Sequence, residues 1–302
     1  MNLRRRVGTT TVFWFWSLVL GGFCLIGSPV GEYLPADDGP TAGPAPDSSV
    51  ATRSSGFGAT AIEWGHLKGR VLVDGTVEPA AKINPDKDRE YCLANGHELV
   101  NETVVVGSEH GLRDVFVMLY LARGDEPPPV HPSSDELKKK PVTLDNKLCR
   151  FEPHAAFVRT GQVLTMRNGD QIGHNIHTLN NDEKNKNVPV GGSVDVTYDQ
   201  PDKIPADVEC NIHPFMKGLL LVRVDPYAAI TNDKGEFLIE NIPAGTWKFQ
   251  FWHKKTGYLS MLTRDGKPFL ERRGEFSLQI KAGETIDLGD LMLSASVLNK
   301  KD

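Results

Sequence analysis

Cys210-Asn211-Ile212-His213-Pro214-Phe215-Met216, with Gly173-His174-Asn175 upstream, is the stretch from which the rest of this sequence can be read. Residues 206–210 lead into it, and residues 218–224 (Gly-Leu-Leu-Leu-Val-Arg-Val) leave it as an apolar run of strand length. Cys210 is therefore expected near a strand end, with His213 and Met216 on a tight turn. Pro214, lacking an amide N–H, stiffens that turn. One thiolate, two imidazoles and a thioether carried on a β frame make a trigonal His, His, Cys set with a weak axial Met, a donor set that suits copper in both of its one-electron states.

The candidate metal ligands are thus His174, Cys210, His213 and Met216. Asn175 is placed to hydrogen-bond across to the Cys loop, and Phe215 to shield the metal edge from water; with Pro214 they make the surrounding shell. His177 competes with His174. Three residues apart on a strand, the two side chains face opposite sides, so only one is expected to bind. His174 is preferred because Gly173 allows a close approach, which leaves His177 as a rim residue. A single Cys in the loop argues against a thiolate-bridged binuclear centre. Zinc is chemically open, although a Met ligand is useful chiefly to copper.

The loop resembles that of the cupredoxins, and its short Cys-x-x-His-Pro-Phe-Met form is similar to the amicyanin loop. A wider set of pieces resembles the bacterial cupredoxin-like methylamine utilization proteins. They are Phe151-Glu152-Pro153-His154, Gly161-Gln162, Asn168-Gly169-Asp170, His174-Asn175-Ile176-His177, Cys210 to Met216, Asp225-Pro226-Tyr227, and Gly245-Thr246-Trp247 through Phe251-Trp252-His253. Further on, Thr231 to Phe237 and Asn241 to Trp247 are each a turn feeding a strand. Their Asp-x-Gly-x-Phe and Pro-x-Gly-Thr rhythm is similar to the carboxypeptidase regulatory-like, transthyretin-like β-sandwich, as is Gly69-Arg70-Val71. Asp233 is read as turn chemistry rather than as a metal ligand. The resemblances imply an all-β chain, a cupredoxin-like Greek-key β-sandwich plus a carboxypeptidase regulatory-like β-sandwich.

The chain has 302 residues, room for one or two domains with real cores. Its 34 Lys+Arg against 39 Asp+Glu form no basic stripe, which argues against nucleic acid as a partner. Arg4, Arg5 and Arg6 precede an uncharged stretch, 7–31, with an apolar heart around Val12 to Leu20. This reads as a secretory signal or an uncleaved anchor, and the anchor is preferred because no clean Ala-x-Ala site follows. Either way the bulk of the chain is expected outside the cytoplasm, in the periplasm or at the cell surface. In an oxidising compartment Cys92 and Cys149 are expected to pair, with two separate buried thiols as the alternative.

The expected organisation is 1–28 signal or anchor, 29–63 a Pro-, Gly- and Ser-rich linker, 64–226 the copper domain and 227–302 the C-terminal sandwich. The first strands are equally compatible with a different partition, in which the copper segment is inserted within a sandwich built from 65–122 and 227–295. Residues 123–141, with Pro127-Pro128-Pro129 and Lys138-Lys139-Lys140, read as a solvated loop, and so does the polar run 180–187.

The function expected is that of an exported copper protein passing single electrons to or from a redox partner, a cytochrome or an oxidoreductase, through an exposed edge of His213. No nucleophile elbow, zinc-protease helix or phosphate loop points to an enzyme. The alternative is an extracytoplasmic carbohydrate- or surface-binding module with a structural or vestigial copper site. There Trp247, Phe249, Phe251, Trp252 and Tyr258 would stack on sugars, although strand alternation assigns half of them to a core.

Overall fold

The computed structural model describes residues 62–300. The expected signal or anchor (1–28) and all but the last two residues of the expected linker (29–63) lie outside the described residues, as do Lys301 and Asp302. Among the described residues no helix is long and apolar enough to cross a membrane.

Among the described residues the fold is all-β, built from four sheets. The first runs Glu236–Pro243, Trp64–Asp74, Thr285–Ser294, Thr263–Arg264, Lys267–Pro268. Its central strand, Trp64–Asp74, pairs antiparallel with Glu236–Pro243 and parallel with Thr285–Ser294. The second sheet joins Ala228–Ile230, Phe116–Leu119, Gly245–His253 and Gly257–Tyr258, with Glu275–Ile280 also pairing to Gly245–His253. Between these two sheets lies a core that includes Leu67, Val71, Val117, Leu119, Phe249, Phe251 and Leu291. The strands 64–74 and 116–119 therefore pair with C-terminal strands, while the metal candidates lie on the chain between them.

That intervening chain forms the other two sheets. One runs Ala155–Arg159, Lys217–Arg223, Ala206–Glu209, His174–Thr178, Lys184–Val188; the other Arg150–Glu152, Val142–Lys147, Leu164–Asn168, Ser193–Val196. They enclose a second core containing Leu144, Phe151, Leu164, Met166, Ile176, Val208, Leu220 and Val222.

The run Leu219-Leu220-Leu221-Val222 is apolar throughout because its strand is covered on both faces. Leu220 and Val222 enter the second core, whereas Leu219 and Leu221 pack with Phe116, Met118, Ala228 and Trp252 of the neighbouring sandwich. A period of two sends successive side chains to opposite faces, and a strand buried on both loses its polar alternation. Arg223 ties the sandwiches further: its guanidinium donates to the Leu119 carbonyl at 2.8 Å and pairs with buried Asp225 at 2.6 Å.

Two expectations about loops are corrected. Within 123–141 the chain forms a short helix, Pro132–Lys138, capped by the His131 ring, which accepts from the Ser133 amide. Pro132 at the first helical position, Asp135 in the first turn and Lys138 in the last follow helix rules that the flanking Pro and Lys runs obscured. Within 180–187, Lys184–Val188 is an edge strand paired with His174–Thr178. Its polar Lys-Asn-Lys-Asn side chains, exposed from Asn185 to Asn187, show no apolar alternation because this edge faces water.

Candidate metal centre

His174 begins the strand His174–Thr178, and Cys210 follows directly after Ala206–Glu209. The two strands pair antiparallel, Glu209 opposite His177, which brings the two segments side by side. The loop then turns back: the Met216 amide donates to the His213 carbonyl at 2.9 Å, and Lys217–Arg223 leaves it. Cys210 and His213 are fully buried, His174 is 1% exposed and Met216 2%.

The three strong donors converge. Cys210 Sγ lies 3.8 Å from His174 Nδ1 and 3.8 Å from His213 Nδ1, and the two Nδ1 atoms are 3.0 Å apart. A triangle with those sides has its circumcentre about 2.1 Å from each corner, against typical metal–imidazole and metal–thiolate lengths of roughly 2.0–2.1 and 2.3 Å. Among the described residues, the other group of metal-capable side chains is Cys149, Asp170 and His174, in which the sulfur belongs to a disulfide.

Each imidazole is held from behind by a carboxylate. His174 Nε2 is 2.9 Å from Asp170 Oδ2, and His213 Nε2 is 2.8 Å from Asp88 Oδ2. With Nε2–H donated to the carboxylate, a neutral ring presents its Nδ1 lone pair to the other ring and to the thiol. Two such lone pairs at 3.0 Å need a cation between them, a proton on His174 in the metal-free pocket or a metal ion in its place, and the latter is the carboxylate–histidine–metal arrangement. The donor set therefore fits a soft, one-electron metal such as copper.

The electrostatics agree. Burial works against the Cys210 thiolate, but His174 and the backbone amides of Asn175, His213 and Ile212 outweigh it and hold the thiol below its ordinary range. Burial also works against a charged His174, yet Asp170 and Cys210 prevail and raise it to about 8. His213 moves the other way: its burial is only partly opposed by Asp88, and the nearby charge of His174 lowers it further. Asp170 stays below the usual carboxylate range despite its burial, through His174 and the amides of Cys149 and Leu148.

The surrounding residues divide cleanly. Asn175 Oδ1 accepts from the Asn211 amide at 2.6 Å, across to the Cys loop, and its Nδ2 donates to Asn185 at 2.6 Å. The Phe215 ring stands edge-on to His213, centroids 5.7 Å apart. Pro214 is exposed. His177 lies on the opposite face of its strand from His174 and bonds Glu183 at 2.6 Å and Asn211 at 3.2 Å. Cys92 and Cys149 form a disulfide.

One expectation fails. The His213 ring has no exposed edge: Asp88 covers its Nε2, and the side-chain exposure is 0%. Asp88 was missed because it lies 125 residues away in a polar, aperiodic stretch. Asp170 carried a local signal, four residues before His174, that could have been read.

On the C-terminal side, Phe249, Phe251 and Trp252 are buried, so they cannot stack on a sugar. Trp247 is half-buried with its indole N–H donated to the Pro243 carbonyl at 2.6 Å.

No family model matches this sequence, and no curated protein matches it. Among solved structures, a reduced Cu(I) amicyanin at pH 4 shows 20% identity over 35% of this chain and 98% of its own, with a TM-score of 0.25. Another Cu(I) amicyanin variant shows 21% identity over 27% of this chain and 81% of its own, with a TM-score of 0.24. The copper-containing nitrite reductase of Thermus scotoductus SA-01 shows 18% identity over 34% of this chain and 25% of its own, with a TM-score of 0.25. Scores of this size assign neither fold family nor activity, so the chemistry of the centre rests on its own geometry.

Proposed function

We propose that this chain is a cupredoxin-like carrier of single electrons, holding one copper ion at Cys210, His174 and His213 with Met216 as the weak fourth donor. The observation that carries the reading is the buried triangle of three donor atoms whose two imidazoles are each backed by a carboxylate. A copper ion held there supplies a one-electron couple between Cu(I) and Cu(II). Cys210, its thiol held below its ordinary range first by His174 and then by backbone amides, would give the covalent donor; His174 and His213 would set the plane; Asn175 fixes the loop by its bond to Asn211. Phe215 excludes water from one side of His213.

The closed pocket favours electron exchange with a redox protein, a cytochrome or an oxidoreductase, over turnover of a substrate that must reach the metal. The N-terminal Arg4 to Arg6 and the uncharged 7–31 support an extracytoplasmic, membrane-held location. Resistance of the full-length chain to a carbonate wash of membranes tests that location; a soluble form starting near the end of that stretch would replace the anchor with a cleaved signal.

Visible absorption of the copper-loaded chain tests the metal assignment. An intense thiolate-to-copper band is expected, and Cys210→Ser is expected to abolish it. A Cys210→Ser protein with unchanged copper spectrum and stoichiometry would falsify the electron-carrier reading.

A further inference from the structure

The chain leaves the first sandwich after Asp74 and, over residues 82–100, makes a lobe that closes on itself. Lys82 bridges Val100, the Ile83 amide donates to the Leu99 carbonyl at 2.8 Å, and the Asn101 amide donates to the Ala81 carbonyl at 2.9 Å. Within the lobe a single helical turn, Arg89–Cys92, follows Asp88, which takes the left-handed conformation at φ 49°. Aspartate tolerates that region better than most residues, and here it aims the carboxylate at His213.

The same turn carries two further attachments. Tyr91 Oη donates to Asp170 Oδ1 at 3.2 Å and accepts from the Gln171 amide at 3.0 Å. Cys92 is bonded to Cys149. Cys149 in turn belongs to the tight turn between Val142–Lys147 and Arg150–Glu152, where Leu148 and Cys149 both have positive φ. The two amides of that turn donate to Asp170, at 2.6 Å from Leu148 and 2.9 Å from Cys149.

The disulfide thus joins the carriers of both carboxylates. On one side is the turn that holds Asp170 and through it His174; on the other is the lobe that brings Asp88 to His213. We propose that the Cys92–Cys149 bridge is a clamp on the metal pocket, with Asp88 and Asp170 as positioning residues that set the two imidazoles through their Nε2 atoms. This rests on the copper reading for its purpose but not for its geometry. Asp88 is the partner on the opening side: its side chain is 36% exposed, whereas Asp170 is 2%. Loss of Asp88, or of the bridge, frees His213 to swing and opens the buried Cys210 to solvent. The lobe also packs Cys92 and Leu99, with Ile83, Tyr91 and Leu93, on the second core, so it loosens without the rest of the fold unravelling.

The test uses the full-length chain, metal-free, with iodoacetamide labelling of Cys210 followed on its own peptide by mass spectrometry. Asp88→Ala and the double variant Cys92→Ala/Cys149→Ala are each expected to speed Cys210 labelling about tenfold or more by raising the population of open states. Asp88→Asn, whose carbonyl oxygen still accepts from His213 Nε2–H, is expected to restore the slow rate. In copper-loaded protein, added imidazole is expected to change the spectrum of Asp88→Ala and leave the unsubstituted protein unchanged. Equal Cys210 labelling in the unsubstituted and Asp88→Ala proteins, both with native circular dichroism, overturns the positioning role; so does an Asp88→Asn protein as fast as Asp88→Ala. A double variant that labels at the unsubstituted rate overturns the clamp. If the unsubstituted chain takes up no copper, the function falls while the labelling rates still judge the clamp.

Discussion

Replacing His174 and His177 by alanine, one at a time, separates a ligand from a bystander in both stability and colour. His174 is wholly buried as a side chain and bonded to Asp170, itself 2% exposed. Removing one partner of such a buried pair costs about 3–5 kcal/mol. Asp170 keeps three other donors, the Leu148 and Cys149 amides and Tyr91 Oη, so the loss belongs at the lower end, about 3 kcal/mol. His177 is 16% exposed and its partner Glu183 60%, a surface pair worth about 0.5 kcal/mol. Urea unfolding of the metal-free proteins reads this difference. Copper titration of the same proteins reads the other: His174→Ala loses the thiolate band or binds exogenous imidazole in its place, with affinity falling more than the roughly 10–100-fold that an outer hydrogen-bond partner costs. His177→Ala keeps spectrum and affinity. A colourless His177→Ala protein, or a His174→Ala protein as stable and as blue as the parent, refutes the assignment.

Met216→Leu is expected to keep the band and raise the reduction potential by voltammetry, since the weak axial thioether favours Cu(II) slightly. His253, 1% exposed, is pushed down from 6.5 to about 4, chiefly by burial, with Asp114 opposing and His154 reinforcing. The unfolded chain therefore takes up a proton that the fold refuses, so stability falls as pH drops from about 6.5 to about 4, by about 3 kcal/mol in all. His253→Gln, followed by urea unfolding across that range, should flatten this part of the slope. Gly235→Ala, at φ +73°, would place its Cβ 2.1 Å from the Val71 carbonyl oxygen. A loss of roughly 2–4 kcal/mol is expected from the left-handed backbone and the forced shift, read as a lower urea midpoint.

What the sequence disclosed was what lies close together in it. Cys210, His213 and Met216 share one turn, and the strand that leaves it is apolar at every position from Leu219 to Val222, so ligands and frame could be read locally. His174 was placed by the glycine before it and by the facing rule of a strand. The carboxylate behind His213 could not be placed in the same way. Asp88 sits among Asp86, Lys87 and Arg89, where nothing but the folded chain distinguishes one charge from the next. Its presence reverses the expected exposure of His213. The edge strand Lys184–Val188 was missed for a related reason: its order comes from pairing, and its side chains up to Asn187 are polar, with Val188 alone entering the core.

The pairing of Trp64–Asp74 with both Glu236–Pro243 and Thr285–Ser294 has a bearing on how fragments of this protein behave. A piece ending at 226 would keep the residues of the metal pocket but leave Trp64–Asp74 with two bare edges and Phe116–Leu119 without its neighbours on either side. Unpaired strands of that kind recruit one another between molecules. During synthesis Trp64–Asp74 is made before either of its partners, and the metal-binding segment is made between them. A piece that begins beyond Leu119 avoids those bare edges, but it gives up Asp88 behind His213, the Cys92–Cys149 bridge and the cover that Phe116 and Met118 provide for Leu219 and Leu221.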